Sequence, residues 1–300
     1  MSVVLCVTAL MLLGSCSLLA HSPRIARESS IPVMRPSQGF KVTSDGKIPY
    51  QRLRIQPWSE GSRYLWVVSN HDLRRAHDAE MILYFHGMHS KDYYADFAKD
   101  LEALAAKRAT KPFVFVGFVD TPYSSSAVRG KNRWKSLVPE EGQRPDTLVM
   151  VLNRLHSSLG ASFPQLKTGK TRIVLTGFSG GGRVLTSVGK WLAASPKEDP
   201  YARSFRSRLS KIVYFDCWFD FEDLTTVPAL LQRNPSMKIV GTVHMEKPKK
   251  VANTLAGKFK MRHAKANNSM VGLGGRLVIF NEKKSHWEAI KSKLSVALGG

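Results

Sequence analysis

The stretch that decides the reading is Arg172–Arg183, RIVLTGFSGGGR. An apolar, partly β-branched run from Ile173 to Thr176 breaks into Gly177-Phe178-Ser179-Gly180-Gly181. A second pattern, Val184, Leu185, Val188, Trp191 and Leu192, then starts at once with helical spacing. Gly-x-Ser-x-Gly alone is weak, because ordinary residue usage places one by chance in roughly a tenth of chains this long. The context is what sharpens it. A buried strand that ends in a tight turn and opens a helix projects a serine hydroxyl at the carboxyl edge of a sheet. Ser179 is therefore the candidate nucleophile.

Working outward, RYLWVVS (63–69) and MILYFHG (81–87) read as strands, and Tyr94 to Ala105 follows with helical spacing. FVFVGFV (113–119) is the next strand, and a polar, basic loop runs from Thr121 to Pro145. A helix carrying Leu148 and Leu152 leads to the serine stretch, and strands are expected at KIVYFD (211–216), MKIVGTV (237–243) and RLVIFN (276–281). A last helix carries Trp287, Ile290 and Leu294. Strands alternate with helices, and the middle strands are apolar throughout. That pattern predicts a three-layer α/β domain with a mostly parallel sheet covered on both faces.

At this point the chain resembles the α/β-hydrolase superfamily over roughly residues 60 to 298. The resemblance implies a serine nucleophile, then an acid, then a histidine base, each on a loop after a strand. His286, in FNEKKSHWEAI, is the histidine in the expected terminal loop and so the candidate base; His263 lies in a basic connector and His156 on a helix. Asp216 ends KIVYFD and is the favoured acid, with Asp220 and Glu246 as alternatives. His86-Gly87 matches the oxyanion loop of the superfamily, which would make the amides of Met88 and Gly180 the oxyanion donors and give His86 a bracing role. Tyr123, Arg129, Arg133 and Trp134, in the long loop, are candidate substrate contacts. The serine region looks most like that of extracellular esterases of the polyester-depolymerase and feruloyl-esterase types.

The function so implied is a serine hydrolase acting on carboxylic esters through an acyl-enzyme, without cofactor or metal. A peptidase or amidase of the same fold, and a non-catalytic binder on the scaffold, are the alternatives. An exported protein is expected. Residues 1–20 are apolar and read as a signal peptide, in which Leu13-Gly14-Ser15-Cys16 resembles a lipobox with Cys16 as the lipidated residue. Residues 21–39, rich in Pro and Ser, read as a flexible linker, and 40–300 as one domain. No transmembrane segment is expected beyond the leader. Cys217 is the one cysteine outside it, which excludes an intramolecular disulfide in the domain.

The chain carries 45 Lys and Arg against 23 Asp and Glu, a formal net charge of +22. Charge of this size concerns partners and not fold. Residues 247–265 hold seven Lys or Arg and no acid. An anionic substrate, an anionic envelope polymer or a lipid surface fits that excess. Nucleic acid is disfavoured, since no nucleic-acid-binding signature accompanies it.

Overall fold

Side chains of the central strands divide between two separate apolar cores. Met81, Leu83 and Phe85 enter one, and Ile82 and Tyr84 the other. Ile173 and Leu175 repeat the division against Val174 and Phe178. Successive side chains of a strand point to opposite faces, so a strand that is apolar throughout needs cover on both. The three-layer α/β arrangement expected from the sequence is the one observed.

A computed structural model of the chain describes residues 50–53, 64–70, 79–87, 93–108, 110–119, 137, 144–146, 148–149, 152–153, 171–218, 223–264, 268–283, 285–291 and 293–299. The strands are β1 (Tyr50–Leu53), β2 (Tyr64–Ser69), β3 (Glu80–Phe85), β4 (Phe113–Val119), β5 (Arg172–Phe178), β6 (Leu209–Phe215), β7 (Lys238–Val243), β8 (Arg262–Ala264), β9 (Ser269–Gly272) and β10 (Leu277–Asn281). The helices are α1 (Tyr93–Lys107), α2 (Gly182–Ala194), α3 (Pro200–Arg208), α4 (Asp223–Arg233), α5 (Glu246–Lys258), α6 (Glu288–Lys291) and α7 (Leu294–Leu298). All described residues fall in one compact unit.

The strands form a ten-stranded sheet in the order β1-β2-β4-β3-β5-β6-β7-β10-β9-β8. From β4 through β10 every neighbouring pair is parallel. β1 and β2 at one edge, and β9 and β8 at the other, are antiparallel additions. Apolar residues of α2, α3, α4 and α5 cover one face, and those of α1, α6 and α7 the other.

Several elements depart from the sequence reading. His263, expected in a connector, lies on β8, whose three residues are too few for a periodic signal. The single terminal helix is two short ones, α6 and α7, with Trp287 just ahead of them. Ile290 and Leu294 still share a core, so the apolar spacing survives the break in the helix. Helix α3 had a signal that was available. Asp199 caps it, accepting from the amides of Tyr201 (2.9 Å) and Ala202 (3.1 Å), with Pro200 in the first helical turn.

At the amino edge of the sheet a buried polar network ties down α7. Arg108 pairs with Glu80 at 2.8 Å, and Ser210 Oγ donates to the other Glu80 oxygen, also at 2.8 Å. Lys211 Nζ donates to the Ala297 carbonyl at 2.9 Å, satisfying a helix-end acceptor. Burial lowers the Lys211 pKa to about 8, although nearby Glu80 works in the opposite direction.

Candidate active site

Five strands that are consecutive in the sheet, β3, β5, β6, β7 and β10, each end at the same carboxyl edge. The candidate residues follow their ends: His86-Gly87 after β3, Ser179 after β5, Asp216 after β6, His244 after β7 and His286 in the loop after β10. β3 lies between β4 and β5, so the chain runs in opposite directions along the sheet on its two sides. That is the place where an α/β sheet opens a crevice for a ligand.

Ser179 has φ of 49°, a left-handed conformation unusual for a non-glycine residue. It starts a 3₁₀ turn, Ser179–Gly181, that runs directly into α2. The glycines after it are required by close approach. A Cβ on Gly181 would lie 2.0 Å from the Phe85 carbonyl oxygen, and one on Gly182 would lie 2.6 Å from that of Cys217. The turn is thus wedged between the ends of β3 and β6. Gly87 closes the other side: a Cβ there would come within 2.9 Å of Ser179 Cβ. Gly180 is buried in the turn, where the first amides have no acceptor within the helix.

Asp216 is fully buried and also left-handed, with φ of 48°. Its Oδ1 accepts from the amides of His244 (2.7 Å) and Met245 (3.1 Å). Its Oδ2 lies 3.2 Å from the Met245 amide and 2.6 Å from His286 Nδ1. A buried carboxylate is tolerated when its lone pairs are taken up in this way. The carboxylate therefore starts from β6 and leans across to the loop after β7.

Glu246, an alternative acid, is the first residue of α5 and is solvent-exposed, 3.9 Å from Lys250. Asp220, Met88, Tyr123, Arg129, Arg133, Trp134 and Cys16 lie outside the described residues.

His286 is about one-third exposed, at 32%. With Nδ1 engaged by Asp216, its Nε2 is the nitrogen left for a reacting group. Among the described residues no hydrogen bond joins Ser179 Oγ to the imidazole. Such contacts are often long before substrate arrives and tighten with it. The imidazole stacks on Phe178, ring centroids 4.6 Å apart.

His86 is buried, and its Nδ1 meets the Gly87 carbonyl. Burial lowers its pKa to about 4, against a smaller opposing effect of that backbone contact, so the ring is neutral at pH 7. Cys217 is a free, buried thiol that donates to the Gly177 carbonyl at 3.2 Å, and burial pushes its pKa well up. It packs the turn and is no nucleophile.

The BES protein of Bacillus cereus superposes with a TM-score of 0.50 at 12% identity, over 84% of this chain and 93% of its own. The chain has the α/β-hydrolase fold. Other solved structures similar to it include an IroE-like serine hydrolase from Shewanella oneidensis, with TM-score 0.45, 14% identity, and 84% and 79% of the two chains covered. A thermostable esterase from Pseudomonas putida gives TM-score 0.45 and 12% identity over 88% and 84%. No family model and no curated protein matches the sequence. Relative to the hydrolase fold as read from sequence, the β8–β9 hairpin is an addition beyond β10. Two features of this hydrolase-fold site escaped sequence reasoning: the amides of His244 and Met245 on Asp216, and the ring of Phe178 under His286. The second had a signal, since Phe178 stands inside the serine motif itself.

Proposed function

We propose that the protein is a serine hydrolase of carboxylic esters. The observation that carries this reading is the 2.6 Å bond between Asp216 and His286, at the same sheet edge as a left-handed Ser179. Ser179 Oγ attacks the acyl carbonyl while His286 Nε2 takes its proton. Asp216 holds Nδ1–H, fixing the tautomer and stabilising the imidazolium. The Gly180 and Met88 amides receive the oxyanion, each contributing on the order of 3 kcal/mol to the transition state. The alcohol leaves with the proton from His286. Water, deprotonated by the same nitrogen, then attacks the acyl-enzyme and releases the acid, restoring Ser179.

The charge supports an anionic substrate or surface as the partner. Lys247, Lys250 and Lys258 on the outer side of α5, then Lys260 and Arg262, are all exposed along the edge that ends in β8. The exposed Glu246–Lys250 pair offsets little of this. Pelleting with vesicles of anionic phospholipid, strong at low salt and lost at high salt, is the expected behaviour. The apolar residues 1–20 and the Leu13–Cys16 motif support export, with Cys16 as a lipid anchor.

The decisive experiment is labelling with a fluorophosphonate probe, alongside hydrolysis of short p-nitrophenyl esters. Wild type is expected to label and turn over, and S179A to do neither. An unlabelled wild type, or equal labelling of S179A, overturns the reading.

A further inference from the structure

Phe178 links the serine turn to the histidine loop. Its ring stacks on the His286 imidazole with the planes 26° apart, and Trp287 meets it edge-on at 5.0 Å and 68°. The ring is 2% exposed and belongs to the core of the face covered by α6 and α7, the helices that follow His286. The space it occupies depends on Gly87, where a Cβ would come within 2.9 Å of Phe178 Cδ1. Phe178 is thus clamped between the oxyanion-loop glycine and the histidine loop, while its own carbonyl leads into Ser179.

The bond to Asp216 fixes one edge of the imidazole but leaves it free to tilt about the Nδ1–Oδ2 line. A stacked face removes that tilt. The face of an aromatic ring also carries negative charge density and attracts a cation above it. A phenyl ring beneath the imidazole is therefore well placed for the positive charge that develops on a base as it takes a proton.

We propose that Phe178 is a positioning residue for His286, setting the plane of the ring. This rests on the reading of His286 as the base. Asp216 contacts the imidazole directly.

The test compares F178L, F178M and F178Y with wild type. The first two keep an apolar side chain without a π face, and the third keeps the ring. The imidazole shifts of His286 are read by NMR on protein with labelled histidine, which needs no turnover, and ester kinetics are measured in parallel. In F178L or F178M the ring-current shift of the imidazole protons should vanish. A fall in kcat of roughly ten- to hundredfold, with KM nearly unchanged, reports the lost orientation. F178Y should restore all of these. If one apolar variant fails to fold, the other carries the comparison. An unchanged kcat in a folded apolar variant, or failure of F178Y to restore it, overturns the proposal. A wild type whose imidazole protons carry the ring-current shift but which hydrolyses no ester would instead sink the esterase reading.

Discussion

His286 Nδ1 and Asp216 Oδ2 lie 2.6 Å apart although 70 residues separate them in the chain. The same carboxylate holds the amides of His244 and Met245, so it braces the loop after β7 as well as the imidazole. D216N keeps the shape but donates a hydrogen where Nδ1–H needs an acceptor, which favours the wrong tautomer. A loss in kcat on the order of 10⁴-fold is expected, with KM little changed. E246Q, on the exposed start of α5, should leave kinetics at the wild-type level. Steady-state assays of the two variants separate the acids.

The serine turn is held by contact with β3 and β6. G181A would place a Cβ 2.0 Å from the Phe85 carbonyl oxygen, an overlap that only backbone movement relieves. Forcing extra volume into packed structure costs about 1–3 kcal/mol, and more where backbone must shift. Urea unfolding should show G181A destabilised at the upper end of that range. G257A, where an added Cβ meets nothing, should lie within about 0.5 kcal/mol of wild type.

His86 makes stability sensitive to mild acid. Its folded pKa of about 4 lies below the unfolded value near 6.5. Above the unfolded value the ring is neutral in both states and contributes no pH dependence. Between 6.5 and 4 the unfolded chain binds the extra proton, so stability falls as pH falls through this window. In H86Q this component is absent, and the decline of melting temperature from pH 6.5 to 4 should be shallower than in wild type.

Glu80 and Arg108 form a buried pair, with side chains 9% and 4% exposed. Removing one partner strands the other charge, so E80A is expected to cost about 3–5 kcal/mol in denaturant unfolding. Replacing both with apolar residues, E80L/R108M, should cost much less than the sum of the single changes. The network meets α7 through Arg108 and Lys211, so hydrogen exchange in E80A should rise first in residues 294–298.

The sheet was legible because its central strands advertise themselves. Residues 81–85 and Phe113–Val119 are continuous apolar runs and residues 173–178 are nearly so, and a run buried on both faces needs no partner to be recognised. Helix α5 and strand β8 were hidden by charge. Lys247 to Arg262 reads as a basic run because the buried residues, Pro248, Val251, Ala252 and Leu255, are fewer than the charged ones on its outer side.

The strand, tight turn and helix around Ser179 follow from the sequence alone, because they depend on neighbours within a few residues, whereas the order of the candidate residues was what the superfamily resemblance implied. The acid was narrowed without being fixed. Asp216 was favoured over Asp220 and Glu246 because it ends a strand, and the tertiary structure adds the contact, because the β6–β7 pairing brings its carboxylate against His286. Parallel pairing of β6 with β7 and of β7 with β10 sets those loop ends side by side, and a hydrogen bond across 70 residues exists only once those strands are in register. Phe178 under the imidazole is of the same kind. Its place in the motif is local, but the ring it meets arrives from the far end of the chain.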